Sequence, residues 1–116
     1  MSVSPSAAAT TLRARATAAR VAGEVRAERV RALLPAAVEL LRARFGVGGV
    51  WLFGSFANGR PHLGSDVDLA VDVPLPALFE AASMLEDLLD CPVDLVVLPS
   101  AAPSLRARVL ATGRLL

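Results

Sequence analysis

A segment near the middle of the chain, residues 65–72, alternates with a period of two. Aspartates occupy positions 66, 68 and 72, and aliphatic residues occupy positions 67, 69 and 71. This is the period of a β-strand with one polar and one apolar face. The chain must therefore build a sheet whose apolar side is covered. Asp66 and Asp68 should point the same way, with their backbones about 7 Å apart.

Two carboxylates on one face repel each other unless a cation lies between them. Carboxylate oxygens are hard donors that suit Mg²⁺, which usually takes one or two of them together with substrate phosphates. The alternation therefore predicts a Mg²⁺ site at Asp66 and Asp68.

The rest of the chain predicts two further strands and several helices. Residues 50–53 and 93–98 are short runs of bulky apolar residues, typical of buried strands. Apolar residues spaced by three and four predict helices over 11–45, 74–89 and 103–112. Because Pro35 lies inside the first pattern, we expect either a kink there or two helices that meet at it. The predicted fold is α/β, a small mixed sheet of three or four strands with helices on one face.

Length and composition limit the number of domains and exclude several kinds of chemistry. A chain of 116 residues has room for one domain with one core. All twelve basic residues are arginine, and the absence of lysine excludes a lysine Schiff base or a lysyl-adenylate. The single cysteine, Cys91, can form neither an internal disulfide nor a zinc site, so a cytoplasmic location is expected. The longest uncharged run, residues 45–59, is too short and too polar to span a membrane.

Charge is distributed unevenly along the chain. Residues 1–44 hold eight arginines and three glutamates, whereas residues 61–100 hold eight acidic residues and no arginine. The basic stretch has no aromatic side chain on which a base could stack, so we expect a solvated helix face and no nucleic-acid partner. We predict a disordered lead-in over residues 1–10, a helical extension over 11–34 and the main domain over 35–116.

A second motif stands at the end of the first predicted strand. Gly54 allows close approach of the backbone to a phosphate, and Ser55 can donate both its hydroxyl and its amide. Asp94, near the start of another predicted strand, could come to lie beside the aspartate pair. Arg60, in the loop between the two motifs, is a candidate phosphate ligand.

The order of these motifs resembles the minimal nucleotidyltransferase branch of the DNA-polymerase-β-like nucleotidyltransferase superfamily. The signature of that family is Gly-Ser, ten residues, Asp-x-Asp, and a later single Asp on a third strand. Here Gly54-Ser55 is followed by ten residues, then by Asp66-Val67-Asp68, and later by Asp94. The resemblance covers about residues 32–116 and implies a polymerase-β-like fold with an N-terminal helical extension.

The resemblance also implies the chemistry. Asp66, Asp68 and Asp94 would hold Mg²⁺, and Asp94 would also deprotonate the acceptor hydroxyl. Gly54 and Ser55 would cradle the β- and γ-phosphates of the substrate ATP. Ser65 would orient Asp66 or touch a phosphate.

Only 22 residues follow Asp94, so we expect the acceptor to belong to another polypeptide or to a second copy. Minimal nucleotidyltransferases of this size resemble the antitoxins of HEPN/MNT pairs, which transfer AMP to a hydroxyl, often of tyrosine, on a HEPN ribonuclease toxin. The lack of tyrosine in this chain fits modification of a partner. One alternative is an antitoxin that only binds and occludes its toxin. Another is a homodimeric, aminoglycoside-like nucleotidyltransferase that acts on a small molecule.

Overall fold

The computed structural model describes residues 5–59, 61, 64–74 and 76–116. Four helices and four strands follow one another in these residues, and a short 3₁₀ turn, Leu98–Ser100, follows the third strand. The helices are α1 (Pro5–Phe45), α2 (Ser55–Asn58), α3 (Leu78–Leu89) and α4 (Pro103–Thr112). The strands are β1 (Val50–Phe53), β2 (Val67–Val71), β3 (Val93–Val97) and β4 (Arg114–Leu115).

The strands form one mixed sheet in the order β3-β2-β1-β4. β1 pairs antiparallel with both β2 and β4, whereas β2 and β3 are parallel. A parallel pair needs a crossover connection, which α3 supplies between β2 and β3. The predicted α/β class and mixed sheet are confirmed, with four strands.

The first face of the sheet is covered by α1 and α3. Leu52, Leu69 and Leu95 lie in one row across β1, β2 and β3, and all three are buried. They pack with buried residues of the two helices, among them Val30, Leu34, Leu41, Ala81, Leu85 and Leu89. This cluster is the main core, and it fixes the sheet against the helices by burial of apolar area.

The second face carries a smaller cluster. Phe53 and Ala70 pack there with Leu98 and with Val109 of α4. The sequence predicted helices on one face only, and this was wrong for α4. Nothing in the local pattern of α4 specifies the side to which it returns, because that depends on the path of the turn after β3.

Helix α1 differs from the prediction in two ways. It runs without interruption through Pro35, where two helices were one of the expected outcomes, and it begins at Pro5, inside the predicted disordered lead-in. Pro35 lies on the exposed side of α1, so water can reach the carbonyl that its missing N–H leaves unbonded. Buried Leu34 and Val38 hold the helix on either side of it. The early start fits proline at the first helical position, followed by alanines at positions 7–9.

The two ends of α1 have different surroundings. Residues 12–22 are exposed throughout, whereas from Gly23 onwards one side of the helix is buried. Ala27 and Val30 belong to the main core, and Arg29 forms an exposed ion pair of 3.2 Å with Asp90 after α3. The main core therefore includes part of the N-terminal helical extension that was predicted over residues 11–34. None of the helices in the described ranges has both the length and the apolar character needed to cross a membrane.

Candidate active site

The parallel pairing of β2 and β3 brings two carboxylates together on the second face of the sheet. Asp68 and Asp94 are register partners, so they stand on neighbouring strands at the same level. Strands in a sheet lie about 4.8 Å apart, and side chains at paired positions point to the same side. Asp68 is half-buried beside Phe53, its partner on β1, whereas Asp94 is exposed.

The environment of Asp68 disfavours its charged form. Burial raises the pKa of the Asp68 carboxyl, and the nearby charges of Asp94 and then Asp66 raise it further. Asp94 is thus the stronger electrostatic neighbour, although Asp66 is closer in sequence. Asp66 itself is exposed and precedes the first residue of β2. The site is a group of like charges that a cation would stabilise.

Gly54 lies directly against this carboxylate. Its backbone has φ 70° and ψ −152°, a conformation with positive φ that favours glycine. A Cβ on Gly54 would overlap Oδ2 of Asp68. The Gly54 carbonyl accepts bonds from the amides of Ala57 at 3.1 Å and Asn58 at 3.0 Å, which form the single turn of α2. The predicted phosphate motif and the predicted metal ligand are therefore in contact.

A cavity of about 450 Å³ opens at this point. It is lined by Phe53, Gly54, Asn58, Asp68, Asp94, Val96, Leu105, Arg108 and Thr112. Two carboxylates, an arginine, an amide and a hydroxyl group thus line the same cavity, together with apolar side chains.

A larger cavity of about 590 Å³ beside α1 is lined by two glutamates and two arginines, whose charges balance. The excess of negative charge is at the sheet, and we place the candidate active site there.

Of the predicted site residues, Gly54, Asp68 and Asp94 line this cavity, whereas Ser55, Ser65 and Asp66 do not. Ser55 is half-buried at the first position of α2, and Ser65 is buried just before Asp66. Arg60 lies outside the described residues. Within the described ranges, no three carboxylate, imidazole or thiol groups are gathered closely enough to hold a metal ion by themselves. A cation bound here would take its remaining ligands from water or from the substrate.

Sequence reasoning missed Asn58, Arg108 and Thr112, which also line the cavity. Asn58 could have been suspected, since it stands three residues after Ser55. Arg108 and Thr112 carry no such signal, because their proximity depends on α4 packing on the second face.

Comparison with known proteins supports the resemblance to nucleotidyltransferases that the sequence motifs indicated. The family model described as polymerase beta, nucleotidyltransferase matches residues 37–116. Protein adenylyltransferase MntA of Thermococcus cleftensis is 38% identical over 87 residues, which cover 72% of this chain and 88% of the relative.

Solved structures agree with these matches. A chain in a crystal structure of a toxin–antitoxin complex with AMP-PNP is 36% identical, with a TM-score of 0.62 and coverage of 67% of both chains. A second match is to a complex of the tri-AMPylated Shewanella oneidensis HEPN toxin with its MNT antitoxin. There the identity is 30%, the TM-score is 0.60, and coverage is 74% of this chain and 70% of that chain.

Proposed function

The chain belongs to the polymerase β nucleotidyltransferase family, and from that premise we propose that it is an antitoxin that transfers AMP from ATP to a hydroxyl of a HEPN ribonuclease toxin, thereby neutralising it. The observation that carries the proposal is the pairing of Asp68 and Asp94 in a cavity that Gly54 also lines. Two properties of the relatives support it. One relative is named a protein adenylyltransferase, and one solved complex contains an AMPylated HEPN toxin.

The donor set fits Mg²⁺. Asp66, Asp68 and Asp94 offer only oxygen ligands. Burial, followed by the charges of Asp94 and Asp66, raises the pKa of Asp68, and a bound cation would favour the ionised carboxylate. A cluster of three protein ligands is not required, because Mg²⁺ completes its shell with water and substrate phosphates. When bound, Mg²⁺ would neutralise charge on the triphosphate and favour ionisation of the acceptor hydroxyl.

The phosphates would lie against the Gly54–Ser55 turn. Gly54 has no side chain to obstruct a ligand, and Ser55 adds a hydroxyl and an amide at the start of α2. Ser65, buried next to Asp66, would position that carboxylate. Arg60 stays a candidate phosphate ligand because of its place between the two motifs.

Asp94 is the group we assign to the acceptor. Its side chain is exposed, so a hydroxyl on the surface of another protein can reach it, whereas Asp68 is half-buried. In the proposed step the acceptor proton passes to a carboxylate oxygen of Asp94. The acceptor oxygen bonds to the α-phosphorus of ATP, the bond from that phosphorus to the bridging oxygen breaks, and pyrophosphate leaves.

The direct test incubates this chain with ATP labelled at the α-phosphate and with the HEPN toxin that we propose as its partner. We expect label on the HEPN protein and none on this chain, which has no tyrosine. Asp94→Ala should lower transfer about 10²–10⁴-fold, because it removes a base and a metal ligand together. Asp87→Ala is the matched control, since Asp87 is an exposed aspartate on α3 outside the cavity.

Two outcomes would contradict the proposal. If the wild-type chain never labels the toxin with any nucleotide or metal, it is not an adenylyltransferase of that toxin. If the Asp94→Ala protein protects cells as fully as the wild type at native expression, neutralisation occurs by occlusion.

A further inference from the structure

Helix α4 carries two arginines, and the structure uses them differently. Arg106 donates hydrogen bonds to the backbone of the turn that follows β3. Its Nε donates to the carbonyl of Leu98 at 3.1 Å, and its Nη2 donates to the carbonyls of Pro99 at 3.3 Å and Ala101 at 3.2 Å. Arg106 therefore closes the connection between β3 and α4, and its role is structural.

Arg108, two residues later, lines the cavity of the candidate active site together with Asp68 and Asp94. Among the described residues the ion pair between Arg29 and Asp90 is the only one, so Arg108 faces a cavity with two carboxylates without pairing with either. The backbone carbonyl of Arg108 accepts the Thr112 hydroxyl at 2.7 Å. The guanidinium group of Arg108 itself donates no hydrogen bond within the described part of the chain. The cation stands on one wall of the cavity, on α4, and the carboxylates on another, on β2 and β3.

This separation of charge within one space suits a ligand that carries both a metal ion and an anion. Metal-binding carboxylates attract the cation of a metal–nucleotide complex. A guanidinium group on a different wall matches phosphate oxygens, with which it forms paired, charge-assisted hydrogen bonds. Gly54, against which phosphates can lie, lines the same cavity.

We propose that Arg108 binds the phosphate oxygens of ATP in this cavity and so determines where the nucleotide lies relative to Asp94. The inference rests on the proposed nucleotidyltransfer function and adds to it a ligand from α4. The packing of α4 on the second face of the sheet brings this arginine to the cavity.

Calorimetric titration of the full chain with Mg–ATP and with adenosine tests the proposal. Arg108→Gln should weaken Mg–ATP binding about 10- to 100-fold, since a charged hydrogen-bond donor to phosphate is lost. Adenosine binding should not change, because adenosine has no phosphate. Arg108→Lys should restore part of the loss, since lysine keeps the charge without the paired geometry.

Arg106→Gln is the matched control on the same helix. It should lower the melting temperature, because three backbone carbonyls lose their donor, but leave Mg–ATP affinity of the folded protein unchanged. Arg108→Gln should show the reverse, with an unchanged melting temperature.

The outcomes separate this inference from the proposed function. If the wild type binds Mg–ATP and Arg108→Gln binds it equally well, the assignment of Arg108 is wrong and the proposed function stands. If Arg108→Gln keeps Mg–ATP affinity but loses transfer to the toxin, Arg108 contacts the acceptor, and the phosphate assignment is again wrong. If the wild type does not bind Mg–ATP, both the function and the inference are wrong.

Discussion

One face of the sheet packs with a cluster of eighteen buried residues in the described part of the chain, whereas the cluster on the other face contains four. The first face is covered by α1 and α3, and its strand residues are aliphatic. The second face is partly covered by α4, and beside its small cluster stand Asp68 and Asp94. The same three strands thus supply an apolar surface on one side and a charged cavity on the other.

The difference shows where stability and chemistry are located. Burial on the first face stabilises the fold, while the like charges on the second face destabilise it in the absence of a cation. Substitutions on the two faces should therefore have opposite effects on the free energy of unfolding. The predictions that follow test this contrast, beginning with the largest effect.

The largest change is expected from Asp68→Asn. It should reduce AMP transfer about 10²–10⁴-fold, because it removes a ligand for the metal. The free energy of unfolding without metal should rise, because burial and the charges of Asp94 and Asp66 already disfavour the charged carboxyl, whose pKa is raised. Labelling assays and urea denaturation of one protein preparation measure both effects. A less stable and inactive variant would show that Asp68 belongs to the framework of the fold.

On the first face, Leu85→Ala should lower the free energy of unfolding by about 2–5 kcal/mol, because Leu85 is 0% exposed and its removal leaves a cavity in the core. Mg–ATP affinity of the folded protein should be unchanged. Leu110→Ala is the control, since Leu110 on α4 is 56% exposed and its truncation should change stability by no more than about 0.5 kcal/mol. Equal losses in both variants would contradict the location of the core.

The smallest effect concerns the N-terminal end of α1. We propose that the catalytic unit begins near Gly23, instead of at residue 35, because Ala27, Val30 and Leu34 are part of the main core. Deletion of residues 1–22 should therefore leave the unfolding midpoint and Mg–ATP affinity nearly unchanged. Deletion of residues 1–34 should destabilise the protein strongly. If both deletions leave a stable fold, the domain boundary at residue 35, which the sequence predicted, is correct.

Much of the sheet could be predicted from the sequence, because alternation along a strand is a local property. The period of two over residues 65–72 identified β2 and the side to which Asp68 points. The resemblance based on Gly54, Ser55 and the aspartates was confirmed by the family match.

The remaining features depend on contacts between distant segments. Pro35 predicted either a kink or two helices, and α1 is a single helix. The burial of Leu34 and Val38 outweighs the single lost hydrogen bond at Pro35. The nearness of Arg108 to Asp68 could not be predicted, since it requires both the register of β2 and β3 and the return of α4 to the second face. Such features become visible only when the packing is known.

The uneven packing of α1 has a consequence for hydrodynamic measurements. The molecule measures 64 × 28 × 20 Å, and its radius of gyration of 18.0 Å exceeds the value of about 13 Å typical of a compact chain of this length. An elongated monomer diffuses slowly and elutes early from a gel-filtration column, so its apparent mass will exceed its true mass. Its subunit number, alone or with a toxin, should therefore be measured by light scattering or sedimentation equilibrium, which do not depend on shape.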